Sequence, residues 1–173
     1  LKAFYNHPDY IKVLGDSIKE HLPEDFDQLL FSYHGIPERH DKKAIRAAKV
    51  SKLPIETYRN QCFETTQLVA EYLGLPEEKY TTSFQSRLGK DPWIQPYTDQ
   101  TLEHFPEKGV KKLAVCTPAF VADCLETLEE ISMEGKEEFL KAGGEEFSYI
   151  PCLNDRQDWI NVLVKWLKGW ENN

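Results

Sequence analysis

The stretch LLFSYHGIPERH, Leu29 to His40, indicates the class of the fold and raises the first question about function. Its apolar start is typical of a buried strand, and Gly35 and Pro37 favour a turn directly afterwards. His34 stands where the predicted strand ends. A core strand has no use for an imidazole at its end, whereas a binding cleft does, so His34 is the first candidate functional residue. A structural histidine satisfied by neighbouring groups is the alternative.

Helical and strand patterns alternate along the rest of the chain. Further strand patterns occur in KYTTSFQS, KKLAVCTPAF and EEFSYIPCL, and helical patterns in residues 7–22, in about 17 residues that end at Gly74, in 122–141 and in 155–170. The polar, basic residues 40–55 leave a loop and a loose helix open. This alternation predicts an α/β fold, with a mainly parallel four-stranded sheet and helices on both faces, in a single domain over residues 1–173.

Composition limits the kind of protein this is. The 173 residues carry a net charge of −8, which excludes general nucleic-acid binding because phosphate affinity depends on clustered Lys and Arg. The sequence has no apolar run of about 18 residues and no signal-peptide pattern, so a cytoplasmic location is expected. The four cysteines form no Cys-x-x-Cys pair, and we expect them to be reduced and buried.

Three polar segments follow predicted strands. His34 ends the first strand, Gln85 to Arg87 follow the second, and Thr117 to Asp123 follow the third. The carboxyl ends of parallel strands meet at one edge of a sheet, and ligands of open α/β sheets bind just beyond that edge. The sequence therefore predicts a cleft to which all three segments contribute.

The predicted helix 122–141 is strongly acidic. Glu126, Glu130 and Glu134 follow one another at i, i+4 and i+8, which places them in one row on an α-helix, with Asp123 one turn earlier. Neighbouring carboxylates repel one another unless water or a cation lies between them, so the row suits a divalent metal ion. A solvated helix face is the alternative.

The segment SFQSRLGKDPWIQPYTDQT predicts a loop that presents Trp93. A flat apolar ligand would stack on the indole ring, with Gln85, Ser86 and Arg87 at the rim of the site. A loop held down by its own tryptophan is the alternative.

Three segments together, FSYHGIPER, FQSRLGKDPWIQPYTD and PAFVADCLETLEEI, resemble the ferrochelatase family, whose members insert ferrous iron into a porphyrin in haem biosynthesis. The resemblance runs in order across nearly the whole chain. It implies a Rossmann-like chelatase domain that corresponds to the C-terminal half of a two-domain enzyme about twice as long. The start at Leu1 without a methionine fits that expectation.

The resemblance also implies roles for individual residues. It makes His34 the base that accepts pyrrole protons, a ligand of the incoming iron, or both, and makes Glu126 a metal ligand or proton acceptor opposite it. Glu130 and Glu134 match acidic residues that lead metal or protons to the centre. Substrate contacts are implied for Trp93, Ser86, Arg87 and Asp123. Many members carry histidine where this chain has Cys124; a thiolate ligand and a small buried residue both remain open there.

The same resemblance implies what the protein binds. The substrates would be ferrous iron and a porphyrin, either protoporphyrin IX or coproporphyrin III, and the N-terminal half of the same protein would be a partner. Peripheral membrane association is a further expectation. No prosthetic group is expected, and no iron–sulfur cluster, since no cysteine follows Cys152.

Two other functions remain open. One is a related chelatase for another metal such as cobalt, which a second histidine near Glu126 would favour; the sequence has none there. The other is a non-catalytic module that binds metal or tetrapyrrole. The isolated domain is expected to be nearly inactive.

Overall fold

Four parallel strands form the sheet at the centre of the computed structural model, which describes residues 3–52, 54 and 56–171. The strands are β1 (Gln28–His34), β2 (Tyr80–Gln85), β3 (Lys112–Cys116) and β4 (Glu146–Tyr149), in the order β2-β1-β3-β4. Every neighbouring pair is parallel, which confirms the predicted α/β fold. The strand order reverses at β1, so the ends of β1 and β3 flank the point where such sheets bind ligands. The single domain predicted over residues 1–173 includes six residues outside those described and stays a prediction.

Successive apolar side chains of β1 point to opposite faces of the sheet and belong to two hydrophobic cores. Leu29 and Phe31 pack with residues of α1 (Pro8–His21), α3 (Tyr58–Leu73) and α7 (Gln157–Glu171). Leu30, on the other face, packs with residues of α4 (Thr98–His104) and α6 (Lys136–Lys141). Both faces of the sheet are therefore covered by helices, as predicted, because successive strand residues point to opposite sides.

Two helices differ from the expectation in instructive ways. Residues 40–55, left open between loop and helix, form most of α2 (Glu38–Ser51), which buries none of its side chains; Leu53 and Ile55 lie outside the described residues. Such a helix offers no clear apolar period to detect. The short α4 was not predicted, whereas α3 ends at Gly74 as expected, and Gly74 has a φ of 69°.

No helix among the described residues is long and apolar enough to cross a bilayer.

The prediction of an α-helix over residues 122–141 is wrong about where the helix starts and about its type. It begins only after Cys124, whose backbone is extended, and runs as α5 (Leu125–Thr127), a π-helix (Leu128–Gly135) and α6. The start is delayed because the Thr127 side chain accepts a hydrogen bond from the Cys124 backbone N–H, which caps the helix there. A π-helix bonds i to i+5, so the i+4 spacing of its carboxylates does not produce the straight row expected of an α-helix.

Candidate active site

His34 is the last residue of β1 and is half-buried at the carboxyl edge of the sheet, as predicted. Its Nδ1 lies 2.6 Å from the backbone oxygen of Gly35. Because a carbonyl oxygen only accepts, this contact places a proton on Nδ1, so Nε2 is the nitrogen that carries the lone pair whenever the ring is neutral. Two aromatic rings lie near the imidazole, with centroid distances of 6.5 Å to Trp93 and 6.2 Å to Phe120. A neutral imidazole held in this way can accept a proton or bind a metal.

Gly35 draws the ends of β1 and β2 together. Its backbone N–H donates to the Gln85 carbonyl at 2.8 Å, and a Cβ at this position would lie 2.8 Å from the same oxygen. Only glycine allows this approach without a shift of the backbone. The histidine and the segment after β2 are therefore neighbours, as the convergence of strand ends predicted.

Glu126 is exposed at the start of the acidic helix, where the Cys124 thiol donates to its Oε2 at 3.0 Å. This hydrogen bond is the main cause that lowers the pKa of the Glu126 carboxyl, and the nearby His34 adds to the effect. Burial, followed by the bond to Glu126, raises the pKa of the Cys124 thiol. Cys124 is half-buried and protonated in this arrangement, whereas Cys62, Cys116 and Cys152 are buried; all four cysteines are free.

Glu130 is tied to the segment after β2. Its carboxylate accepts hydrogen bonds from the Ser86 backbone N–H at 2.7 Å and from the Ser86 hydroxyl at 2.5 Å. Ser86 has a φ of 65°, which turns its N–H toward the helix. Both side chains were predicted for the site, and the structure brings them together; that Ser86 contacts substrate stays a prediction.

An acidic cavity of about 210 Å³ continues from Glu130 along the helix. Glu134 and Glu138 line it together with Asp99. Burial raises the pKa of Glu138, and the negative charges of Asp99, Glu103 and the other glutamates raise it further. Glu138 was not predicted as a site residue, although it continues the spacing of Glu126, Glu130 and Glu134. Within the described part of the chain, no three His, Cys, Asp or Glu side chains are close enough to hold one metal ion, so the predicted ligand set stays a prediction.

Trp93 and Arg87 both lie in the segment that follows β2. The Trp93 indole N–H donates to the Leu88 carbonyl at 2.9 Å, so the ring both holds down its loop and lies beside His34. Arg87 pairs with Asp99, and its guanidinium lies 4.4 Å from the centre of the Tyr97 ring. Phe120, in the segment after β3, was not singled out from the sequence, although an aromatic residue beyond a strand end is a detectable signal.

Asp123 organises the loop that precedes the acidic helix. Its carboxylate accepts hydrogen bonds from the Tyr149 hydroxyl at 2.7 Å, the Asn154 amide at 2.6 Å and the Thr127 hydroxyl at 3.0 Å. Burial raises the pKa of Asp123, but these hydrogen bonds outweigh it, and the net pKa is lowered. The substrate contact implied for Asp123 stays a prediction; the geometry gives it a structural role.

Replacing Asp123 by Ala should lower the free energy of unfolding by about 2–3 kcal/mol, because three donors lose their charged acceptor. In the wild type, this contribution is complete above the unfolded-state pKa of about 3.9 and is lost as the pH falls through the lowered native pKa. Urea denaturation of Asp123→Ala at neutral pH measures the effect. Asp155→Ala, a neighbouring exposed aspartate, is the control, and equal losses in the two variants would contradict the structural role.

Together, the parallel sheet, the histidine at its switch point and the nearby acidic helix define a Rossmann-like α/β domain whose candidate site lies at the carboxyl edge of the sheet. Comparison with known proteins agrees with this class. Residues 1–169 match the ferrochelatase family model, and the chain belongs to the ferrochelatase family.

Curated relatives place the chain within that family. It is 48% identical to a ferrochelatase from Pseudomonas putida strain W619, 47% to one from Pseudomonas entomophila strain L48 and 46% to one from Pseudomonas fluorescens strain Pf0-1, in each case over 95% of this chain. The chain spans about half the length of these relatives, 52% in each case.

Proposed function

We propose that this chain is the C-terminal half of a longer enzyme that inserts ferrous iron into a porphyrin. The observation that carries the proposal is the placement of His34 at the carboxyl end of β1, with its Nδ1 against the Gly35 carbonyl and the ionised Glu126 near enough for the two charges to interact. Family membership supports the reaction, and the rest of the longer protein would supply the other wall of the cleft.

The chemistry needs groups of the kind found here. A porphyrin must lose two N–H protons before a metal ion can enter its centre. His34 Nε2 would accept protons on one face of the ring, and the Glu126 carboxylate would stabilise the entering cation on the other. Since the pKa of Glu126 is lowered, its negative charge is present throughout the neutral range.

The surroundings of His34 suit a flat apolar ring. The rings of Trp93 and Phe120 lie near the imidazole, and Leu125, next to Glu126, is 74% exposed. Exposed apolar side chains beside a cleft are where a largely apolar ligand gains most from burial. Arg87 and Ser86 would contact the polar edge of the ring.

Ferrous iron would reach the centre through the acidic cavity. Glu130, Glu134 and Glu138 all line this cavity, and Glu130 is the one of the three that is nearest in sequence to Glu126. Carboxylates with water between them attract and hold a divalent cation without binding it too tightly to release it. The route would end at Glu126 and His34.

Glu134→Gln should therefore act mainly on metal supply. We expect the KM for ferrous iron to rise about three- to tenfold while kcat changes less than twofold, because one of the charges that attract the cation is lost and the proton acceptors remain. Glu137→Gln, an exposed neighbour that does not line the cavity, is the control. An unchanged KM in the Glu134 variant would rule out this route.

Iron insertion by the complete gene product tests the proposed function. Purified protein is mixed anaerobically with ferrous iron and either protoporphyrin IX or coproporphyrin III, and the change in absorbance is followed. Turnover with iron well above turnover with cobalt is expected, without any prosthetic group or iron–sulfur cluster. Porphyrin binding without turnover would favour the non-catalytic module. The 173-residue chain alone should bind little porphyrin and turn over almost none.

A further inference from the structure

Gln85 is the last residue of β2 and is only 3% exposed, so it does not stand at the rim of the cleft as its sequence position suggested. Its side chain points instead from the sheet toward the acidic helix. The amide nitrogen donates to the Glu126 carbonyl at 2.9 Å and approaches the Glu130 carboxylate at 3.5 Å. One buried side chain thus contacts both glutamates nearest to the proposed centre.

A buried polar network fixes the direction of this amide. The Ser32 hydroxyl donates to Gln85 Oε1 at 2.9 Å, and Ser32 lies 2.9 Å from the Thr98 hydroxyl, which in turn lies 2.8 Å from the Ser83 hydroxyl. Ser32 and Ser83 are fully buried, and Thr98 is 3% exposed. Because Oε1 is occupied by Ser32, the NH₂ group must face the helix.

Glu126 is the middle residue of α5, two positions before the π-helix begins at Leu128. Stretches of π-helix are rare and occur mostly as short segments at functional sites. At this junction, Gln85 supplies a hydrogen-bond donor from outside the helix, and Ser86 fixes the next carboxylate along the chain. The end of β2 therefore holds the helix at two consecutive glutamates of the acidic series.

We propose that Gln85 is a positioning residue that fixes the start of the π-helix and thereby holds the Glu126 and Glu130 carboxylates at the distance from His34 that iron insertion requires. The proposal rests on the proposed function for its catalytic consequence, but not for its structural one. Gln85 itself contacts neither porphyrin nor iron.

Gln85→Met tests this role, because methionine has nearly the same volume and removes all three hydrogen bonds of the amide, the two to the acidic helix and the one from Ser32. The matched control is Thr66→Val. Thr66 is 1% exposed, and its hydroxyl forms hydrogen bonds with the hydroxyls of Tyr33 and Thr82, each at 2.9 Å. Thr66→Val therefore also removes buried hydrogen bonds, but at a place away from the acidic helix. Both variants are expected to lower the melting temperature by similar amounts.

Two measurements on the complete protein separate a positioning role of Gln85 from a general effect on stability. Amide hydrogen exchange of residues 126–135 should speed up at least about tenfold in Gln85→Met and stay within about twofold of wild type in Thr66→Val. The kcat for iron insertion should fall at least about tenfold in Gln85→Met, with porphyrin affinity by fluorescence quenching within about twofold, while Thr66→Val keeps the wild-type kcat.

These measurements distinguish an error in the role proposed for Gln85 from an error in the proposed function. If the wild type inserts no iron, the proposed function is wrong, and the exchange measurement alone decides whether Gln85 holds the helix. If the wild type is active, unchanged exchange in Gln85→Met overturns the positioning role. Faster exchange with wild-type kcat also overturns it, since the helix start would then not matter to the reaction.

Discussion

Replacing His34 by alanine is expected to lower the rate of iron insertion at least about 100-fold while porphyrin affinity stays within about threefold. Alanine removes the Nε2 lone pair and keeps the apolar walls formed by Trp93 and Phe120. Ring binding depends on burial spread over many side chains, whereas proton removal depends on one imidazole. Stopped-flow absorbance gives the rate, and porphyrin fluorescence gives the affinity.

His21→Ala is the matched control for this experiment. His21 also has its Nδ1 against a backbone oxygen, that of Ser17 at 2.8 Å, but it lies at the end of α1. Its replacement should leave both the rate and the affinity unchanged. If His34→Ala kept more than about a tenth of wild-type turnover, a loss of under roughly 1.4 kcal/mol in transition-state stabilisation, His34 would be a well-placed structural residue.

Glu126→Gln is expected to lower kcat by a similar factor, about 100-fold, with porphyrin affinity unchanged. The amide keeps the size of the side chain and loses its negative charge and basicity. Cys124 can still donate to the amide oxygen, so the local structure should survive. Single-turnover kinetics at saturating iron measure kcat without the contribution of metal supply.

Glu129→Gln serves as the control because Glu129 is an exposed neighbour on the same helix. It should behave as wild type. Since the pKa of Glu126 is lowered, the carboxylate should stay charged as the pH falls from neutrality through its ordinary value of 4.5, and only below that should its protonation slow the reaction. A Glu126→Gln variant that retained more than a third of wild-type kcat would remove Glu126 from the proposed mechanism.

The position of His34 could be predicted because it depends on local signals and one general rule. The apolar run of β1 and the turn at Gly35 give the end of the strand, and parallel strand ends share one edge of the sheet. The same reasoning placed Ser86 and Trp93 near the site. The resemblance to ferrochelatases then assigned roles that the spacing of residues could not assign.

The geometry of the acidic helix could not be predicted in this way. Residues 128–135 form a π-helix and contact partners more than 40 residues away in sequence, Gln85 and Ser86, whereas the composition of the segment is compatible with both α-helix and π-helix. The role of Asp123 was missed for the same reason, since its partners Tyr149 and Asn154 follow β3 by a long connection. Glu138, in contrast, could have been predicted, because it follows Glu134 at the same spacing of four residues.

A crystal structure of the complete protein with a metal-free porphyrin would test the role of His34 most directly. We expect the ring to lie between His34 and Glu126, with His34 Nε2 within about 3 Å of a pyrrole nitrogen or joined to it by one water. Trp93 and Phe120 should contact the ring. A porphyrin bound instead in the apolar cavity of about 360 Å³ beside Tyr10 and Tyr33, with His34 Nε2 out of reach of its nitrogens, would show that His34 is not the proton acceptor.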